Sequence, residues 1–209
     1  MSSREQARFV DAAIEALKQE WLRAPEGRPH STARQRAMTR LGSYIQASGR
    51  PLYLASELPV LYPGEPPFAP DVLAIQDVPD PGEDDTRSSW TVVQEGRGLD
   101  FVLEITWGGD RDKDLVSNVA RYARLGIPEY FVYDRRRQRL YGYRLGFGAR
   151  GYSSIPLVEG LLRSSVLGLE LGIARGRLRF YYAGGAEVPD PDERIARLDG
   201  LILEREAHI

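Results

Sequence analysis

The sequence predicts an α/β fold, a mixed sheet flanked by helices with antiparallel additions and a C-terminal helix, and three observations predict it. The run LDFVLEITW, residues 99–107, is the strongest strand signal in the chain, an apolar segment rich in β-formers. Helical spacing follows through Leu115, Val119 and Tyr122, with Gly126 placed as a C-cap and Pro128 barring continuation. EYFVYD, residues 129–134, then reads as a buried strand, so that strand, helix and strand form a βαβ-like unit.

Over residues 4–22 the apolar set Phe9, Ala13, Leu17 and Trp21 recurs every four positions, joined by Val10 and Ile14, which describes one helix face with Ser3 and Gln6 as a weak capping box. APEGRPHS breaks it. A second helix is expected over 32–47 with Ala37, Leu41, Tyr44 and Ile45 inward, ended by the Gly-Arg-Pro at 49–51. PLYLASELPVLY and APDVLAIQDV read as short strands bounded by Pro and Gly. The acidic, Pro/Gly-rich stretch within 77–98 is expected to be an exposed loop carrying one short strand, WTVVQ. Beyond EYFVYD, the segments RLYGYRL, YSSIPLV, LGLELG and RLRFYYA are further strands, and Arg135, Arg136, Arg137 and Arg139 occupy a hairpin turn. The last segment opens with Asp190 as N-cap, Pro191 at N1 and Glu193 at N3. Its Ile195, Leu198 and Ile202 form a short seam that docks on the parent domain. The chain thus divides into one domain, 1–188, and a helical tail, 189–209.

Composition narrows the chemistry. With 42% apolar and 28% charged residues the 209-residue chain can bury a real core. No apolar run approaches the ~18–20 residues of a membrane span, and the start lacks a signal peptide's apolar block, so no membrane association and a cytoplasmic location are expected. The absence of cysteine excludes disulfides, thiolate nucleophiles and cysteine-based metal sites, and two histidines exclude a histidine-rich one. Any metal would be held by oxygens. The balance of 28 basic against 30 acidic residues gives no global basic field. Of the basic residues only Lys18 and Lys113 are lysines, so a chemistry that needs a lysine has two candidates.

Two acids interrupt apolar strands. Asp71 opens Asp71-Val72-Leu73-Ala74-Ile75, and Glu104 sits inside Phe101-Val102-Leu103-Glu104-Ile105-Thr106. A carboxylate embedded in a buried strand costs several kcal/mol unless something pairs it. A divalent cation is one such partner; a salt bridge to one of the arginines, or an edge position open to water, are the others. The acids Asp77, Asp80, Glu83, Asp84 and Asp85 lack the spacing of an EF-hand and read as a solvated loop. No phosphate-binding glycine loop, dinucleotide fingerprint or nucleophile elbow is in usable context.

The run from PDV through LEIT to DLVSNVARYARLGIPEYFVYD, followed by YRL and LGLELGIARGRLRFYY, resembles the Uma-type restriction endonuclease family of the PD-(D/E)XK nuclease superfamily. The similarity covers roughly residues 28–188, and RYARLGIPEYFVYD is its most specific stretch. The resemblance implies a restriction-endonuclease-like core whose acidic residues bind Mg²⁺ or Mn²⁺ and hydrolyse DNA phosphodiesters. It carries the metal-ligand roles onto Asp71, Glu104 and the main-chain carbonyl of Ile105. Hard oxygen ligands with room for water and a phosphate suit such an ion.

The expected lysine is missing twice. In the wider superfamily it stands two residues after the glutamate, where this chain has Thr106; in the Uma-type family it stands on the following helix, where this chain has Asn118. Lys113 lies five residues before Asn118, about 140° round an α-helix, with a stem long enough to reach back, and is the preferred substitute. A solvated helix-start lysine is the plainer alternative. Arg121 shares the Asn118 face and stabilises phosphate charge, but stays protonated and cannot act as a base. Tyr122 is either core or a group that orients Asn118 or a phosphate. Asp114 reads as a helix-start carboxylate favoured by the dipole. His30 stands where that family often has a histidine and either touches substrate or acts near the metal, or is the plainer cap or surface residue. Arg34, Arg36 and Arg40, with the basic turn, are weak evidence for DNA.

The leading expectation is a metal-dependent endonuclease in which Asp71, Glu104 and Lys113 are catalytic, supported by Asn118, Arg121 and Tyr122, with Mg²⁺ or Mn²⁺ as cofactor and DNA as partner. The competing one is a nuclease-fold protein without hydrolysis that binds nucleic acid or a protein partner through the same cleft. A homodimer stays open, because nucleases of this fold often pair to cut two strands.

Overall fold

The computed structural model describes residues 8–15, 17, 27–108, 112–191, 193 and 195. Apolar residues on both faces of the central strands produce two cores with one sheet between them. Successive strand side chains point to opposite faces. In β5 (Phe101–Thr106), Phe101, Leu103 and Ile105 therefore enter one core and Val102 the other.

The main sheet has six strands in the order β1 (Leu52–Ala55), β3 (Val72–Gln76), β5, β6 (Glu129–Asp134), β7 (Arg139–Leu145) and β8 (Tyr152–Ser154). Every neighbouring pair is antiparallel except β5 and β6, which run parallel from Phe101↔Glu129 to Thr106↔Asp134. A parallel pair needs a crossover, and residues 107–128 supply it, with α2 (Asn118–Arg124) as the helix. This is the βαβ-like unit that the sequence predicts. β2 (Val60–Leu61) and β4 (Trp90–Thr91) form a small parallel pair beside it.

On one face, α1 (Arg28–Ser48) packs Ala37, Leu41, Tyr44 and Ile45 against Val72, Phe101 and Phe131. A three-stranded antiparallel sheet of β9 (Leu161–Ser164), β10 (Leu169–Ala174) and β11 (Arg177–Tyr181) adds Leu162, Leu171 and Phe180 to the same core. On the other face Tyr122 of α2 joins Leu73, Ile75, Val102, Tyr130 and Val132. Each such fully buried side chain contributes roughly 1.5–3 kcal/mol.

Several boundaries differ from expectation for identifiable reasons. α1 begins four residues early because Pro29 occupies its first turn, where a missing N–H costs nothing. It ends at Gly49, whose φ of 62° lets its N–H close on the Ile45 carbonyl. WTVVQ is a strand only at Trp90–Thr91, and Val92–Glu95 turns helical. Residues 8–15 and 17 are helical with Ala13 and Leu17 buried, but Phe9 is 52% exposed, so the buried face is narrower than the four-residue repeat implies. The rest of the helix expected over 4–22, with Ser3, Gln6 and Trp21, lies outside the described residues, as do Leu198 and Ile202. Asp190 does cap the final helical residues, accepting from the Glu193 N–H at 3.4 Å. Among the described residues no helix is long and apolar enough to cross a membrane.

Candidate active site

β3 and β5 run antiparallel with Val72 opposite Leu103, which places Asp71, the residue before β3, beside Glu104. The two acids are locked to each other's strands. The Asp71 N–H donates to Glu104 Oε2 at 3.2 Å, and the Ile105 N–H donates to Asp71 Oδ2 at 2.6 Å. A strand residue turns its N–H and C=O to the same side. The Ile105 carbonyl therefore faces the Asp71 side of β5, past the point where β3 begins, the orientation a main-chain ligand would need.

Two further side chains hold Asp71 from α1. His30 Nε2 donates to Asp71 Oδ2 at 2.8 Å, and Arg34 Nη1 lies 3.6 Å from Oδ1 and 2.9 Å from Glu57 Oε1. His30 is thus part of the site rather than a cap or surface residue. The resemblance points to a histidine here, but residue spacing cannot show the contact, which joins positions 41 residues apart.

From the opposite face of the sheet Tyr122 donates its hydroxyl to Glu104 Oε1 at 2.8 Å. Its partner here is the carboxylate itself. Asn118 is buried and donates through its side-chain amide to Asp114 Oδ1 at 3.3 Å. Tyr130 donates to the Asp114 carbonyl at 2.8 Å. Burial, with Asp71 and then Asp114 as negative neighbours, holds the Glu104 carboxyl well above the ordinary glutamate range, against the lowering effect of the Tyr122 and Asp71 donors. Burial and the same Glu104 charge also push the Tyr122 phenol well up, so it remains a donor.

The lysine question takes a different form from the one expected. Lys113–Ser117 is a π-turn, in which the Asn118 N–H bonds back to the Lys113 carbonyl. A π-turn winds less per residue than an α-turn, so Lys113 stands nearer in azimuth to Asn118 than the expected angle of about 140°, though Lys113 is exposed where Asn118 is buried. Its side chain is exposed and forms no ion pair with Asp71 or Glu104. Arg121 is directed elsewhere: its guanidinium lies 4.4 Å from the centroid of Phe68, donates to the Pro66 carbonyl and approaches Glu65 Oε2 at 3.6 Å. Thr106 is buried and uncharged.

Among the described residues no group of three or more His, Asp or Glu side chains is arranged as a metal centre. The candidate donors are two carboxylates and one main-chain carbonyl, all hard oxygens, with Glu104 raised in pKa by the Asp71 and Asp114 charges. This fits a small divalent cation that keeps most of its water, since such ions are often held by one or two protein carboxylates.

A sheet with one parallel pair, helices on both faces and an acidic pair at the carboxyl end of that pair defines a protein of the restriction-endonuclease-like class. Residues 10–179 match the model of the Uma2 family, described as "Putative restriction endonuclease", and the chain belongs to that family. Among solved structures, one described as a putative nuclease of the DUF820 family from Anabaena variabilis superposes with a TM-score of 0.52 and 15% identity, over 68% of this chain and 75% of that one. At that identity the likeness speaks for the fold alone. A search of the curated proteins returns no match.

Proposed function

We propose that this protein is a metal-dependent endonuclease that hydrolyses DNA phosphodiester bonds, with Asp71, Glu104 and the Ile105 carbonyl holding Mg²⁺ or Mn²⁺. The observation that carries the reading is the Glu104 carboxylate, held half-buried beside Asp71 and near Asp114 with no basic side chain bonded to it among the described residues. Repulsion of that kind persists where a cation is to be received. The ion, when bound, would supply Lewis acidity toward a phosphate oxygen and an acidified water.

The chain's own residues have separable tasks. Tyr122 fixes one Glu104 oxygen, and the Asp71 N–H fixes the other. His30 and the Ile105 N–H orient Asp71 through the same Oδ2 atom, leaving Oδ1 toward Arg34. Lys113, exposed at the start of the π-turn that leads to Asn118, is the proposed positive group beside the attacking water. Asn118 orients Asp114, and Arg121 holds the Glu65–Phe68 segment in place rather than touching the reacting atoms.

One observation favours a second reading. Both usual lysine positions carry neutral buried side chains, Thr106 and Asn118, which is compatible with a nuclease fold that binds nucleic acid without cutting it. Cleavage of supercoiled plasmid and single-stranded DNA with Mg²⁺ or Mn²⁺ separates the two. Metal-dependent cutting by the wild type that vanishes in folded Glu104→Gln supports the nuclease. Metal binding without cutting, lost in the same variant, supports the binder.

A further inference from the structure

We propose that Trp107, with Arg135 stacked on it, is a platform on which an unpaired nucleobase stacks, so that the substrate strand is engaged as single-stranded nucleic acid next to the carboxylate pair. The inference deepens the nuclease reading and rests on it for the identity of the substrate.

Trp107 follows β5 directly, three residues beyond Glu104, a displacement of roughly 10 Å along an extended chain. An indole at the end of a central strand would ordinarily be covered, yet Trp107 is 46% exposed. The other placed tryptophan, Trp90, is fully buried and donates to the Arg97 carbonyl. The Arg135 guanidinium lies 5.2 Å from the Trp107 ring centroid, and the Arg135 N–H continues the parallel ladder to the Thr106 carbonyl at 2.9 Å. Arg135 also donates through its side chain to the Pro29 carbonyl. Pro29 precedes His30, the residue bonded to Asp71. The first turn of α1 therefore touches the platform with one residue and the carboxylate site with the next.

Among the described residues the surroundings carry arginines without carboxylate partners. Arg34, Arg40, Arg137, Arg144 and Arg179 are each paired with carboxylates. Arg36, Arg135 and Arg136 have no carboxylate partner among the described residues. Arg36 and Arg135 line one shallow cleft with Thr32, Tyr133, Arg177 and Leu178. Arg136 lies over Gly108, the residue after Trp107, with its Nη1 3.3 Å from where a Cβ would stand. A flat apolar ring among unpaired guanidinium groups matches a strand that alternates bases and phosphates. It does not match the outside of a duplex, whose base faces are covered by their neighbours.

The test is the affinity of full-length protein for a fluorescent oligonucleotide, as single strand and as blunt duplex, in excess chelator so that no cleavage occurs. Trp107→Ala should weaken single-strand binding by about 5- to 100-fold, the range of one lost base–aromatic stack, while Trp107→Phe keeps most of it. Duplex binding should change less than about twofold. Equal single-strand affinity in Trp107→Ala, or an equal loss on both forms, overturns the proposal. Thermal melts identify a misfolded variant, and Arg135→Met then serves as the second probe: it should weaken single-strand binding selectively, and failure to do so counts against the platform. Cleavage by the wild type with a neutral Trp107→Ala refutes the platform alone. A selective Trp107 effect without any cleavage refutes the nuclease alone.

Discussion

Replacing Tyr122 by Phe removes one oxygen atom and no volume from a site whose ring is 2% exposed and packed among Phe68 and Tyr130. What disappears is the 2.8 Å donor to Glu104 Oε1. A hydrogen bond to a charged group contributes about 1.5–3 kcal/mol, and at 1.4 kcal/mol per decade that is roughly a 10- to 100-fold loss of affinity for a cation that needs Glu104 ionised. Outer partners of metal ligands have effects of this size in general. The sign follows from the geometry. The Tyr122 hydroxyl lowers a Glu104 pKa that burial, Asp71 and Asp114 raise, so its loss moves that pKa further up. Metal must then displace a proton from a larger fraction of molecules at neutral pH. Calorimetric titration with Mn²⁺ should show the weakening at pH 7, a steeper decline toward pH 6 than in wild type, and partial recovery at pH 8. Unchanged affinity and unchanged pH profile in a folded Tyr122→Phe protein would refute Glu104 as a ligand under Tyr122 control.

Other expectations follow from the same geometry. In metal-free protein Glu104→Gln should raise the melting temperature near pH 8. A carboxyl whose folded pKa is raised loses stability as pH climbs from its unfolded to its folded value, so the gap should close toward pH 4; a pH-independent difference would argue against the charge origin. Glu129→Ala should cost about 3–5 kcal/mol, as removal of one member of a buried pair does, read as a lower urea midpoint at constant slope. Glu129 accepts from Arg144, Ser164 and the N–H groups of Ser165 and Val166 at 2.6–3.4 Å; a loss below 1 kcal/mol would mean water replaces them. Asn118→Lys restores a cation beside Asp114 and should raise metal-dependent cleavage at least tenfold, whereas Lys113→Ala should lower it; plasmid-nicking rates check both.

The acidic pair was legible because it is a local anomaly: an aspartate and a glutamate in runs otherwise filled by Val, Leu and Ile announce themselves, and strand alternation fixes which way each points. The crossover was legible from Gly126 and Pro128, with Gly126 at φ 76° just past α2. The π-turn was not, since apolar spacing reports an average helical period and cannot register one inserted residue. His30 was singled out only by the resemblance, and Arg34 only as weak evidence for DNA, for another reason. Their roles depend on where α1 lies against the start of β3, and that is decided by Ala37, Leu41 and Tyr44 packing on the sheet rather than by anything near residue 30. Arg121 shares a helical face with Asn118, yet Phe68 and Glu65 capture it.

The two borders of the main sheet bear on how copies of the chain can meet. β1 has four residues and follows Pro51; β8 has three and is followed by Pro156. Proline offers no N–H to an incoming strand, and borders this short present few ladder positions. A second molecule that tried to extend the sheet would run out of register after a few bonds. Extension of the main sheet by strand addition is therefore disfavoured. A two-fold pair of these molecules would then have to meet somewhere other than along the borders of the main sheet.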